Sequence, residues 1–302
     1  MVNIKKVAII DSYEGNGHCF SFPAIINGWD RSKIHLCPFE NITSYLFKYI
    51  TPAEKLRDVF KATEVWMQNP NKAVDICQFA QTKAVAKSPL KALEDCDVAF
   101  LLNDEPDDRN SLLRSLISAK KPIFVDKLLA RDVSELDSIR MSQVFDNQVF
   151  CASAIKYSSF FDDVRPFKSV SETHIQVPKT WLMYGVHAVE MFLNDKLLEN
   201  STFEIINSAR SRNQTGRTLK IALDSPSELG TSVVYLVASG NSETPFSVKQ
   251  VGREGEISYF ELIDPFSAFV RMLLDFNEYT KSRVSVGKFW SNQRKIVEIL
   301  SK

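Results

Sequence analysis

Apolar residues fall along the chain in two rhythms. Up to Val149, short unbroken apolar runs alternate with stretches of helical spacing. Residues 7–10 (Val7, Ala8, Ile9, Ile10), 84–86, 98–102 and 123–125 are compact apolar runs, as expected of strands buried on both faces of a parallel sheet, and 64–67 (Glu64, Val65, Trp66, Met67) reads as a further strand. Between them the spacing predicts helices ending at Asn27 and Gly28, and over 71–81, 89–94 and 108–119. Ala73, Ile76, Cys77 and Ala80 share one stripe of the second of these, and Leu112, Leu113, Leu116 and Ile117 one stripe of the last. Repeated strand–helix alternation predicts an α/β domain over 1–149, a Rossmann-type doubly wound parallel sheet.

The rhythm then changes. Residues 173–177 alternate strictly, the mark of a half-buried strand, whereas 181–193 are apolar nearly all round and predict a buried helix, with His187 inside it. Strand-like segments follow at 203–206, 218–223, 232–238, 246–251 and 257–262, separated by turns such as Ser239-Gly240-Asn241. Asp264 and Pro265 form a helix start, with Phe266, Phe269, Val270, Leu273 and Leu274 inward, and a last helix carries Ile296, Val297 and Leu300. This predicts an α+β domain over 150–302 with a large, mostly antiparallel, open-faced sheet. No second layer of helices is evident to cover its outer face, so pairing of copies through that sheet, as a homodimer or higher homo-oligomer, is expected.

One stretch departs from both rhythms. Residues 28–62 are aromatic-rich (Trp29, Phe39, Tyr45, Phe47, Tyr49, Phe60) and form an ordered insertion with a predicted helix over 52–61. They either shape a substrate or partner surface or act as a packing flap.

Charge narrows the partners. With 37 basic and 37 acidic side chains in 302 residues, nothing electrostatic favours nucleic acid or an anionic membrane. No apolar run is long enough to span a bilayer, and a lysine pair followed at once by a strand at the amino terminus lacks signal-peptide character; a cytoplasmic protein is expected. Five scattered cysteines (Cys19, Cys37, Cys77, Cys96, Cys151) show no Cys-x-x-Cys spacing, which argues against disulfides and a metal site. Cys77 and Cys96 read as buried small hydrophobes. Cys19 lies near a helix start, where a thiol can be acidified, although packing is the plainer role.

The candidate chemistry gathers at strand ends. Asp126 and Lys127 follow the run 123–125, at the carboxyl edge where open α/β sheets bind ligands; a surface lysine at a strand end is the plainer reading. After residues 7–10, Gly15, Asn16 and Gly17 can supply the glycine turn that presents backbone N–H groups to a pyrophosphate. The full Gly-x-Gly-x-x-Gly pattern is absent, with Phe20 three residues after Gly17 and Pro23 set to kink or delay the helix. Asn69, at the end of the second strand, stands where an acid would hold a ribose, and its neutrality leaves NAD or NADP open as the cofactor.

The run around Lys127 resembles the Gfo/Idh/MocA family of sugar oxidoreductases. That family ends a helix with Ala-Gly-Lys and follows the next strand with Glu-Lys-Pro. Here the helix end is Ser118-Ala119-Lys120-Lys121 and the motif Asp126-Lys127-Leu128. Gly185-Val186-His187 resembles the end of the family's second motif, with Met183 in place of its acid and Thr180-Trp181 in place of its glycine pair. Residues 151–157 look like the family's first strand of the second domain. The resemblance covers nearly the whole chain and implies hydride transfer between a sugar-like substrate and NAD or NADP. Lys127 would hold the reacting oxygen and His187 would accept or relay the proton. Asn103 and Pro106 would lie beside the nicotinamide half, and Lys156, Tyr157 and Tyr184 would bind substrate. It also implies that the domain cleft brings Lys127 and His187 to one ligand. Without an acid at Met183, a non-catalytic cofactor- or sugar-binding relative, acting as a sensor or partner subunit, is the alternative. A structural subunit whose sheet forms a dimer face is a third reading.

Overall fold

In a computed structural model of the chain, the described residues are 4–49, 51–199, 201–211, 215–224, 231–262, 264–281 and 286–302. They form two compact units, Met1–Ala152 with Phe269–Gln293, and Ser153–Ala268 with Arg294–Lys302.

The first unit carries β1 (Lys5–Asp11), α1 (His18–Asn27), α2 (Glu40–Lys48), β2 (Phe60–Met67), α3 (Pro70–Ala80), β3 (Ala84–Val85), α4 (Pro89–Glu94), β4 (Val98–Leu101), α5 (Pro106–Ile117), β5 (Ile123–Asp126), α6 (Val133–Ser142) and β6 (Val149–Ala152). The strands are all parallel, in the order β3-β2-β1-β4-β5-β6, the doubly wound arrangement whose ligand crevice opens where strand order reverses, beside β1 and β4. Residues 7–10 and 98–101 are buried throughout, which is why they read as unbroken apolar runs rather than alternating ones.

The predicted helix over 52–61 does not form. Residues 54–56 make one short 3-10 turn, and Phe60 and Lys61 already belong to β2, in register with Lys5 and Lys6 of β1. Strand pairing and burial of Phe60 and Ala62 win over a marginal helical pattern. Pro23 neither kinks nor delays α1, which runs from His18 to Asn27 with residues 19–27 all buried. That burial outweighs the ~3 kcal/mol cost of an interior proline. Gly28 ends the helix at φ +90°, its N–H donating to the Ala24 carbonyl.

The second unit holds β7 (Glu172–Val177), α7 (Trp181–Phe192), α8 (Asp195–Leu198), β8 (Thr202–Arg210), β9 (Arg217–Asp224), β10 (Ser232–Ala238), β11 (Ser247–Val251) and β12 (Ile257–Glu261). Its sheet runs β12-β11-β7-β10-β9-β8 and is antiparallel except for the β7–β10 pair. α7 packs against β7 and β10. That helix is not buried all round: Leu182 is 85% and Met183 48% exposed. The segment 151–157 is not a strand of this sheet. Cys151 and Ala152 complete β6, paired with Val125 and Asp126, and 154–157 form a 3-10 turn packed on α7.

Two helices close the chain, α9 (Pro265–Tyr279) and α10 (Val286–Leu300). The Asp264 carboxylate caps α9, accepting from Ser267 N–H at 3.2 Å. Residues 269–293, assigned by sequence to the second domain, group with the first unit instead. The cause is a phenylalanine row. Register places Phe100, Phe124 and Phe150 side by side on β4, β5 and β6, and Phe276 of α9 lies 5.7 Å from each. None of the described helices is long and apolar enough to cross a membrane.

Candidate functional site

The carboxyl edge of the first sheet is crossed by the loop 11–17, and the loop is held by side chains at every strand end it passes. Asp11 closes β1, and its Oδ1 accepts from Tyr13 N–H at 2.8 Å. Asn103, just past β4, donates through Nδ2 to Ser12 Oγ while its Oδ1 accepts from Glu105 N–H at 2.6 Å. Asn69, beyond β2, caps α3 through Oδ1 and donates from Nδ2 to Glu14 Oε1 at 2.8 Å. Asn16 is buried at the centre. Its amide donates to the Leu102 carbonyl, to Asp104 Oδ1 at 3.3 Å and to Asp126 Oδ2 at 3.2 Å, and its Oδ1 accepts from His18 N–H at 3.0 Å.

Two basic side chains answer the carboxylates. His18 Nδ1 lies 2.6 Å from Asp126 Oδ2, with its ring stacked 5.0 Å from Phe22. Lys127, at φ +64°, places Nζ 2.6 Å from Asp104 Oδ2 and is 15% exposed. Burial alone would raise the Asp126 carboxyl. The charge and hydrogen bond of His18, with Lys127 and the Asn16 amide, outweigh it and bring the carboxyl down to about 2. Asp11 goes the other way: burial, then the nearby Asp104 and Asp126, push it well above the usual carboxylate range. Its Oδ2 is buried and has no hydrogen-bond partner among the described residues.

The glycines of the loop face protein. A Cβ on Gly15 would collide with the Tyr13 ring, and one on Gly17 with Ile42 of α2 and with Phe39. The 28–62 insertion therefore packs over the loop. Tyr45 Oη meets Ser21 Oγ at 2.5 Å, and Trp29 lies 5.3 Å from Phe79. Pro106 opens α5 at its first position; its side chain lies outside the described residues. Cys19 is fully packed, its thiol pushed up by burial and donating to the Asn16 carbonyl at 3.1 Å.

In the second unit, His187 Nδ1 lies 2.5 Å from Ser153 Oγ, and Ser153 N–H donates to Glu190 Oε2 at 2.7 Å. The imidazole stands 5.0 Å from the Tyr184 ring and 5.4 Å from Phe246, and Lys179 Nζ is 4.7 Å from the Tyr184 ring. Lys156 lies over the ring of its neighbour Tyr157 at 5.0 Å, on the turn that packs against α7. The structure thus assembles Tyr184 with His187, and Lys156 with Tyr157. Lys127 belongs to the first unit and His187 to the second.

Sequence reasoning passed over Asp11, His18, Asp104 and Arg109. Arg109 of α5 is 2% exposed, and its Nε and Nη2 have no hydrogen-bond partner among the described residues. A signal for the first three was present: acids stand at the ends of β1, β4 and β5, with a histidine directly after the glycine pair.

No family model matches the sequence, and no curated protein matches it. Solved structures do match, over essentially the whole chain. A dehydrogenase from Clostridium difficile superposes with a TM-score of 0.67 at 12% identity, covering 99% of each chain. A Gfo/Idh/MocA family oxidoreductase from Vibrio cholerae gives 0.63 at 10%, covering 98% of this chain and 97% of that one. The myo-inositol dehydrogenase of Lactobacillus casei, in complex with NAD(H) and myo-inositol, gives 0.63 at 11%, covering 99% and 93%. At such identities the likeness is one of fold, and the fold is that of these oxidoreductases.

Proposed function

We propose that this protein binds a sugar, sugar derivative or related polyol through the second unit, as a non-catalytic relative of the dehydrogenases whose fold it shares. The observation that carries the reading is the cluster around His187. An imidazole hydrogen-bonded to Ser153 stands beside the rings of Tyr184 and Phe246, with Lys179 over Tyr184, which sets apolar ring faces next to polar groups. A polyol presents the matching surface, since its C–H faces stack on aromatic rings while its hydroxyls exchange hydrogen bonds. Lys156 and Tyr157 are assigned supporting contacts. The myo-inositol dehydrogenase and a UDP-N-acetylglucosamine 3-dehydrogenase from Acidithiobacillus ferrooxidans (TM-score 0.62, 12% identity, covering 99% of this chain and 96% of that chain) motivate the ligand class.

The binding reading is favoured over turnover by the position one turn before His187. Met183, where the resembled family carries an acid, is an apolar thioether half exposed to solvent, and it supplies no negative charge to balance a developing imidazolium as a carboxylate would. The second reading, an NAD- or NADP-dependent sugar oxidoreductase using Lys127 and His187, draws on the match to dehydrogenases along both units.

The test is calorimetric titration of the full chain with inositols, monosaccharides and nucleotide sugars, together with a turnover assay for each. Binding of at least one compound class, weakened at least ~10-fold by His187→Asn or Tyr184→Ala, is the expected result; one bidentate or stacked contact accounts for such a factor. Absence of binding across the panel would sink the reading, and steady turnover would replace it with the second.

A further inference from the structure

The shared fold implies a dinucleotide across the carboxyl edge of the first sheet, and the side chains there can be tested against that group. A pyrophosphate seat needs glycines whose open faces let backbone approach the phosphates and unspent N–H groups at the amino end of the first helix. Both differ here. The space over Gly15 is taken by Tyr13, and that over Gly17 by Ile42 and Phe39. At the start of α1, His18 N–H is capped by Asn16 Oδ1 at 3.0 Å and Phe20 N–H turns back to the Gly17 carbonyl at 3.0 Å, which spends two of the amino-terminal donors of the helix.

The ionic groups at the strand ends are engaged as well. Asn16 bridges Asp104 and Asp126, Asp126 Oδ2 lies 2.6 Å from His18 Nδ1, and Asp104 Oδ2 lies 2.6 Å from Lys127 Nζ. A pyrophosphate placed there would compete with Asp104 for Lys127, in a region of low dielectric where that pair is held strongly. The amides that could greet a ribose are also engaged, Asn69 with Glu14 and Asn103 with Ser12.

We infer that this crevice does not take a nicotinamide dinucleotide: the loop 11–17 lies in it as its own occupant, with Asn16 bridging the strand-end carboxylates. The residues present do not fit the group, so the first unit serves as a closed scaffold. The inference stands on the first unit alone and holds whichever ligand the second unit binds.

It is tested by titrating the full chain with NAD, NADH, NADP and NADPH, reading heat and NADH fluorescence up to millimolar concentration. Hydrogen exchange of the backbone amides of residues 13–18 is followed in parallel. The expected result is no saturable signal with any of the four, and slow exchange at the capped amide of His18 that none of them changes. Saturable binding of any one, or new protection of this loop on its addition, overturns the inference. A cooperative thermal transition in the same preparation shows that silence is not misfolding. Because the sugar titrations are separate, their failure would remove the proposed function and leave this inference standing, and the reverse also holds.

Discussion

Asn16 carries more of the carboxyl edge than any other side chain, since one amide joins the Leu102 carbonyl, Asp104 and Asp126. Asn16→Asp would turn that donor into a fourth carboxylate among Asp11, Asp104 and Asp126. A buried, unpaired charge is expected to cost about 3–5 kcal/mol, read as a lower urea midpoint at pH 7. Asp11 and Asp126 should respond to substitution with opposite signs. The folded-state carboxyl of Asp126 is depressed to about 2, so its contribution is complete above the ordinary carboxylate value and fades as pH falls from about 4 toward 2. Asp126→Asn should therefore lower the melting temperature at neutral pH and change little near the acid end. Asp11 is raised, so the folded state keeps a proton that the unfolded chain releases. Its contribution is complete below about pH 4 and is lost as pH rises toward the folded value. Asp11→Asn keeps an acceptor for Tyr13 N–H and should raise the melting temperature at pH 7 by a few degrees, on the order of 1 kcal/mol, with little change near pH 4. Melting curves at the two pH values check both signs.

Among the elements, α2 and α9 do work that their sequences advertise poorly. α2 brings Ile42 over Gly17, whose backbone is ordinary (φ −75°), so Gly17→Ala should destabilise through a side-chain clash and not through strain. Pairing it with Ile42→Ala should recover part of the loss. A coupling energy of about 0.5–3 kcal/mol in that double-mutant cycle is the expected outcome; strict additivity would show that the insertion does not pack on the loop. Phe276→Ala in α9 removes the ring that joins the rows on β4, β5 and β6 and should cost about 3–5 kcal/mol. The strands and helices of the first sheet were legible because runs such as 98–101 are short, unbroken and capped by helices of clear period. The allegiance of α9 was not, since an inner stripe of Phe269, Met272, Leu273 and Phe276 fits any apolar face and only strand register reveals the phenylalanine row awaiting it. Cys151 was misread for a related reason: a buried run of four cannot say which sheet it joins. Lys127 and His187 were visible as motifs, whereas the role of Asn16 was hidden, because its partners are 86 to 110 residues away in sequence.

At the scale of the whole molecule, the chain combines a doubly wound parallel sheet with a wide, mostly antiparallel one, and dehydrogenases named for different substrates share that plan. A common scaffold does not carry its function with it; the side chains at the site decide. The outer strands of the second sheet leave Ile206, Ile257 and Tyr259 more than half exposed, and self-association through this sheet is the expected use of such a surface. Light scattering at micromolar concentration should give the mass of two copies or more, and a monomer would refute it. Lys127 provides the sharpest separation between binding and turnover. Its Nζ is partly exposed and paired with Asp104, so Lys127→Ala leaves a carboxylate with reduced compensation but no cavity in the core. The expected loss of stability is about 1–2 kcal/mol, above that of an open surface pair because both groups are largely buried. If the protein only binds polyols through the His187 cluster, Lys127→Ala should leave the affinity for the best polyol within about 3-fold of the parent, less than one kcal/mol, while His187→Asn lowers it at least ~10-fold. If the protein is a working oxidoreductase, Lys127→Ala should instead reduce turnover by about 100-fold or more, the scale of losing a group that stabilises developing negative charge on oxygen. Titration and turnover measured on the same two variants decide between them.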